Sequence, residues 1–370
     1  MTSHLRRGGV AHLVLAMLLG SAGGASAAAG SDTIVVTTTI QAAVNQAGPG
    51  DTVLVPPGVY RETVTIVSSA ITIRGSRGAI LDASGFAVGI RAASGPMTGG
   101  PGEIRRCPVA RLTDLAVEGL RVTNASFTGV LFRGVDGFSI TDGVYVGNGG
   151  AYALFPICST RGLISGNQVE GTDDGAIYVG VSRDITVEDN HATASTVGIE
   201  IENSTGLVVR HNRVSGNTAG IAIFALPLLD IPVVEGILVE RNVVIRNNRP
   251  NPFLPTEEAV GALPTGSGII ALGADRVSIR DNQIIGNDSG GLAVLASPLA
   301  AIDPRMDAFP DDVGVIGNVV RRNGLDPDPI RSPVPGADLI YDGSGRDVCF
   351  ADNVAGTEFP VGLTAAFPCQ

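Results

Sequence analysis

From Ile164 onward, apolar and polar positions alternate in short runs, and each run closes on an asparagine. Ile185-x-Val187-x-x-Asn190, Leu207-x-Val209-x-x-Asn212, Ile237-x-Val239-x-x-Asn242 and Val277-x-Ile279-x-x-Asn282 share one pattern, which Ile164 to Asn167 opens and Asn318 and Asn353 continue. The first steps between these asparagines are 23 and 22 residues and the later ones are longer. A second run lies between them, in Ala176 to Val179, Gly198 to Ile201, Gly220 to Ile223, Gly268 to Ala271 and Gly291 to Val294. Alternation with period two marks strands, and recurrence at a fixed interval marks stacked coils, because one coil cannot bury its apolar face alone. No amphipathic segment of helical length separates the strands, which excludes βαβ units and leucine-rich repeats. The pattern predicts a right-handed parallel β-helix, an all-β solenoid with Val187, Val209, Val239 and Ile279 stacked inside. The recurring Asn reads as a structural turn ladder, since Asn tolerates left-handed backbone and its amide can bond the next coil.

Aligning the second run predicts one outward column of Phe155, Tyr178, Glu200, Ala222, Ile270 and Ala293. Two positions on comes another of Ile157, Gly180, Glu202, Phe224, Leu272 and Leu295. Tyr178 and Glu200 would lie about 4.8 Å apart between coils, and Glu200 and Glu202 about 6.6 Å apart along one strand. Two carboxyls so spaced suit acid and base work at a glycosidic or uronate bond. Tyr178 is then a proton shuttle, Phe155 and Phe224 are sugar-stacking rings, and Asp174 supplies a second acid, a charge or a Ca²⁺ ligand. Arg183 is the candidate cation for a substrate carboxylate. The competing reading is a solvated strip beneath a loop. Two Pro-rich inserts, Ala225 to Gly236 and Ala296 to Asp312, follow this outward strand, and inserts gathered on one side of a solenoid often border its binding face. A third, Arg249 to Gly266, leaves from another turn. Glu188, Arg210, Glu240 and Arg280 alternate in sign as cross-strand pairs should. In the next column His211 beside Asp189 reads as part of an exposed charge ladder rather than as a base.

Composition narrows the partners. The 370 residues carry a formal charge of −11, which argues against a surface that tracks phosphates and against nucleic acid as a partner. All 25 basic residues are Arg, which removes Schiff-base and P-loop lysine chemistry. Residues Met1 to Ala27 read as a secretory leader: Arg6 and Arg7, the apolar run Val10 to Leu19, then Ala25-Ser26-Ala27. The domain expectation is therefore a signal peptide over 1–27 and one β-helix over 28–370, with its N-terminal cap at about 31–58. No later stretch is long and apolar enough to span a bilayer. The four Cys of an exported chain point to disulfides. Nearness favours Cys349 with Cys369, leaving Cys107 with Cys158, among three possible pairings. No CxxC spacing and only His191 and His211 beyond the leader leave a zinc site without ligands.

Thr39 to Ala47 reads as a short amphipathic helix with a Thr cap, placed to cover the open end of the solenoid. It leads into the strand Thr52 to Val55. The whole segment Thr39 to Ile66, TIQAAVNQAGPGDTVLVPPGVYRETVTI, resembles the N-terminal cap and first coil of pectin-lyase-like β-helix proteins. The coils from about Tyr152 to Leu295, with AIYVG, GIEIENS and GIAIF, resemble an exported bacterial group of parallel β-helix repeat proteins. The resemblance implies the fold and leaves function open, because this architecture hosts lyases, epimerases, hydrolases, esterases and non-catalytic proteins. Asp173-Asp174 is similar to the paired aspartates of polygalacturonases, but their Gly-His-Gly and Arg-Ile-Lys motifs are missing, as is the Asp-Pro-His-Asp of alginate epimerases. The expected function is engagement of an extended polysaccharide by a monomer, with uronate lyase or C5-epimerase chemistry. The alternative is a non-catalytic glycan-binding, accessory or adhesion protein using the same groove.

Overall fold

The computed structural model describes residues 31–94, 106–110 and 112–370. The leader expected over 1–27 lies outside the described residues. The described chain winds into a parallel β-helix of three sheets, with 12, 11 and 11 strands. Each coil gives one strand to each sheet. In every sheet neighbouring strands pair in parallel, so residues at equivalent places in successive coils stand one strand spacing apart. Val187, Val209, Val239 and Ile279 are consecutive partners in the 12-stranded sheet and are all buried. They belong to one continuous aliphatic core that runs the length of the tube. Each such side chain contributes about 1.5–3 kcal/mol on burial.

The asparagine ladder forms as expected. The Asn190 backbone N–H and side-chain amide both donate to Asn212 Oδ1 at 3.0 Å, and the same amide donates to the Ile164 carbonyl at 2.9 Å. The pattern repeats from Asn167 to Asn353. The left-handed backbone, however, is carried by the residue before each asparagine: Asp189, His211, Arg241 and Asp281 have φ of 55°, 57°, 53° and 55°. The ladder Asn itself lies inside, where its amide replaces the strand hydrogen bonds that the corner interrupts. The other two corners repeat the device. Asn217, Asn247, Asn287 and Asn323 form a second ladder, and Ser159, Ser182 and Ser204 a third.

Both ends are closed. The helix Ile40–Val44 is shorter than the sequence pattern suggests. Its Thr39 cap accepts from the Ala42 N–H at 3.1 Å, and the Glu62 carboxylate accepts from the Ile40 and Gln41 N–H groups at 2.7 and 2.9 Å. Ile40, Ala43 and Val44 join the core. At the other end the Cys349–Cys369 disulfide holds the segment with the short helix Leu363–Ala366 against the last coil, and the second disulfide joins Cys107 to Cys158. Among the described residues no helix is long and apolar enough to cross a membrane. The charge column stands on the 12-stranded sheet, with Arg210–Glu188 at 2.7 Å and Arg280–Glu240 at 2.8 Å. His211 Nδ1 lies 3.9 Å from Asp189, both well exposed.

Candidate active-site cleft

The 11-stranded sheet that contains Gly175–Gly180, Val197–Glu202 and Ala219–Phe224 turns its outer face towards four inserts. The expected columns are in register. Tyr178 pairs with Glu200, Glu200 with Ala222, Ala222 with Ile270 and Ile270 with Ala293. Gly180, Glu202 and Phe224 form the second column. These residues point away from the core, which takes Ile177, Val179, Ile199 and Ile201 instead. They are nonetheless covered. Tyr178 is 2% exposed, Glu200 1%, Glu202 4% and Asp174 5%, because the inserts wall in a cleft of about 980 Å³ above them.

Inserts 225–236 and 296–310 follow strands of this sheet and form one wall. Insert 249–266 leaves from another turn, as expected; it precedes a strand of the same sheet and forms the opposite wall together with residues 325–336, a fourth insert that the repeat pattern did not announce. Each wall is tied within itself. Asp303 accepts from the Leu228 N–H at 2.8 Å and pairs with Arg305, which reaches the Leu229 carbonyl at 3.1 Å. Across the cleft Arg331 donates to the Gly261 and Phe253 carbonyls at 2.8 Å each and pairs with Asp328 at 3.2 Å. Buried Asn203, next to Glu202, holds the root of the first insert through Leu226 and Ile231.

At one end of the cleft the polar groups converge. Tyr178 donates its hydroxyl to Glu202 Oε1 at 2.7 Å. Tyr152, Phe155 and Tyr178 pack as an aromatic trio, with ring centres 4.4 to 5.0 Å apart. Burial pushes the Glu202 carboxyl up to about 8. The Tyr178 hydrogen bond opposes that rise and the charge of Asp174 adds to it. Burial, then the neighbouring carboxylates, hold both tyrosines well above their ordinary value. A carboxyl kept protonated at neutral pH beside other carboxyls can deliver a proton to a bound substrate, while an ionised partner accepts one.

Of the residues singled out in the sequence, Tyr178, Glu200, Glu202, Asp174, Phe155 and Phe224 all line this one cleft. Arg183 does not. It stands exposed in the 12-stranded sheet, because the corner at Val181 and Ser182 has already turned the chain to the next face. The cation that lines the cleft is Arg331, which the repeat pattern could not reveal since it lies in an insert. Tyr152 was also missed, although its place at the start of the Phe155 strand was the available signal. Among the described residues no group of three or more His, Cys, Asp or Glu side chains is arranged to hold a metal ion.

A family model described as the right-handed β-helix region matches residues 109–226. The fold is a right-handed parallel β-helix. Its fold is similar to that of the A-module of the Azotobacter vinelandii mannuronan C-5 epimerase AlgE6, at 14% identity and a TM-score of 0.56, covering 85% of this chain and 93% of the module. XylC, solved with xylose, is similar at 12% identity and a TM-score of 0.51, over 76% of this chain and 65% of its own. The DFA-IIIase of Arthrobacter chlorophenolicus A6, solved without its lid in complex with GF2, is similar at 15% identity and a TM-score of 0.50, over 92% and 98%. Such identities carry the fold alone. No curated protein matches the chain.

Proposed function

We propose that this is an exported β-helix protein that binds a saccharide in the cleft and acts on it by general acid–base catalysis, with Glu202 as the acid. The observation that carries the reading is the buried Glu202 carboxyl, raised to about 8, hydrogen-bonded to Tyr178 and opening on the cleft beside Glu200 and Asp174. Perturbed carboxyls facing a concave site are the pattern expected of acid–base work. Tyr152, the partly exposed member of the aromatic trio, is the ring on which a sugar can stack, and the xylose bound to XylC supports the substrate class by analogy of fold. The two disulfides support export, since such bonds persist in oxidising compartments.

The charge of the site bears on the reaction. Lyase or epimerase chemistry on a uronate needs the substrate carboxylate neutralised before the adjacent proton is taken. Arg331 is the only cation lining the cleft among the described residues; its Nε and Nη2 donate to Gly261 and Phe253, and Asp328 pairs with its charge. Glu202 holds its proton, while negative charge on its neighbours Glu200 and Asp174 repels a substrate carboxylate. The site therefore favours an uncharged sugar over a uronate. On such a substrate Glu202 passes its proton to the glycosidic oxygen as the bond to the anomeric carbon breaks. Glu200 or Asp174 takes a proton from the water that attacks that carbon, so one water is consumed.

The test incubates the purified protein with neutral oligosaccharides and with uronate polymers. Release of reducing ends, absorbance of unsaturated products and the uronate epimer ratio are followed together. Reducing ends from a neutral glycan, with a loss of about a hundredfold or more in Glu202→Gln, are expected. Unsaturated products or epimerised uronate would restore the lyase or epimerase reading. Saccharide binding with no turnover on any substrate would leave the accessory role, and neither binding nor turnover would end the saccharide reading.

A further inference from the structure

The cleft has two unlike halves. It runs along the sheet from the Tyr152–Ile157 strand to the Leu339–Tyr341 strand, and the acidic groups and the aromatic trio lie on or beside the first three strands of that course. From Ala219–Phe224 onward the floor is Phe224, Ile270, Leu272, Ala293, Leu295 and Ile340. Leu226, Leu229 and Leu299 line one wall of this half, and Val260, Leu263 and Val334 the other. At one strand spacing per coil the aliphatic trough is about 14 Å long.

The serine hydroxyls in this half already donate within the protein. Ser267 donates to the Pro264 carbonyl, Ser289 to that of Thr265 and Ser332 to that of Val334, and Arg331 is held as described above. A sugar lying there would bury hydroxyls without partners, at a cost of about 1–3 kcal/mol each. A hydrocarbon would meet mainly apolar surface. The four inserts add an independent feature. Each carries exposed large aliphatic side chains: Leu228, Leu254, Ile302, and Leu325 with Ile330. Loops that border a cleft and expose such groups suit contact with an amphiphile or the lipid surface that carries it.

We propose that the cleft accepts a single-chain glycolipid, with its saccharide head at Tyr178, Glu200 and Glu202 and its alkyl or acyl chain in the trough from Phe224 to Ile340. The head assignment rests on the saccharide reading above, whereas the chain assignment rests on the trough alone. The trough ends at the strand of Ile340, which limits the length of chain that gains from burial.

Calorimetry with the full mature protein tests both parts. Maltose, octyl, decyl and dodecyl maltoside are compared below their micelle-forming concentrations, and dodecyl dimethylamine oxide serves as a chain with no sugar. Affinity is expected to rise roughly three- to fourfold for each added methylene until the trough is full, and dodecyl maltoside is expected to bind more tightly than the amine oxide. In Ala293→Leu, which fills the floor with a hydrocarbon group, the rise should stop at a shorter chain. Affinity independent of chain length would overturn the chain assignment even if maltose binds. Equal affinity for dodecyl maltoside and the amine oxide would overturn the glycolipid by removing its head, and would leave a site for alkyl chains.

Discussion

The Tyr178 hydroxyl reaches Glu202, one coil away and two residues further along its strand, because the position between them is Gly180. Gly180 is the strand partner of Glu202, and a Cβ built there would stand 2.0 Å from the Tyr178 hydroxyl oxygen. The tyrosine ring thus lies along its own strand over the glycine and its hydroxyl donates a hydrogen bond to the carboxyl at 2.7 Å. Gly180→Ala should displace the ring, costing about 1–3 kcal/mol in stability and lowering turnover more than Tyr178→Phe, which keeps the packing and loses only the hydroxyl. Parallel thermal melts and rate measurements separate the two effects.

The raised Glu202 carboxyl makes stability depend on pH in a stated direction. Its ordinary value is 4.5 and its folded value about 8, so between these the folded chain holds a proton that the unfolded chain has released. The stabilisation is complete below about 4.5 and is lost as pH rises through about 8, with a slope of at most about 1.4 kcal/mol per pH unit. Denaturant melts from pH 5 to 9 should show this decline in the native protein and a flatter profile in Glu202→Gln. Catalysis by the protonated form should fall over the upper part of the same range.

Arg331 is a clamp between inserts. Replacement by Met keeps much of the apolar stem and removes the donors to Gly261 and Phe253 and the pair with Asp328. The expected outcome is faster amide exchange at 253–261 and weaker ligand binding, with little change in the melting of the coils. An unchanged exchange pattern would show that packing of Val260 and Leu263 alone holds that wall.

The ladder predicts a different kind of loss. Asn212→Ala removes the acceptor for the Asn190 backbone N–H and amide and the donor to the Val187 carbonyl, all buried. A cost of about 2–4 kcal/mol follows from leaving such groups unpaired, read as a lower denaturation midpoint.

Cys349 and Cys369 close a loop with a sequence separation of 20. Replacing both by Ser should cost about 3 kcal/mol. The first region to open should be the last coil around Phe350 and Leu363, measurable by limited proteolysis from the C-terminal end.

The period-two runs and their recurring asparagines determined the β-helix, its register and the column that brings Tyr178, Glu200, Glu202 and Phe224 together. A solenoid converts sequence periodicity directly into neighbourhood, one coil onto the next. The ladder was legible for the same reason, apart from which residue carries the left-handed turn: the side-chain preference of Asn names the corner, but the backbone strain falls on the residue before it. Only the tertiary structure decided what lies over the column. The inserts do not repeat, so nothing in their sequences says which way they fold, and Arg331, Asn203 and Asp303 acquire their roles from contacts between segments far apart in the chain. That covering turned an outward strip of acids into a buried cleft, and burial, which depends on all the neighbours at once, is what sets the protonation of Glu202.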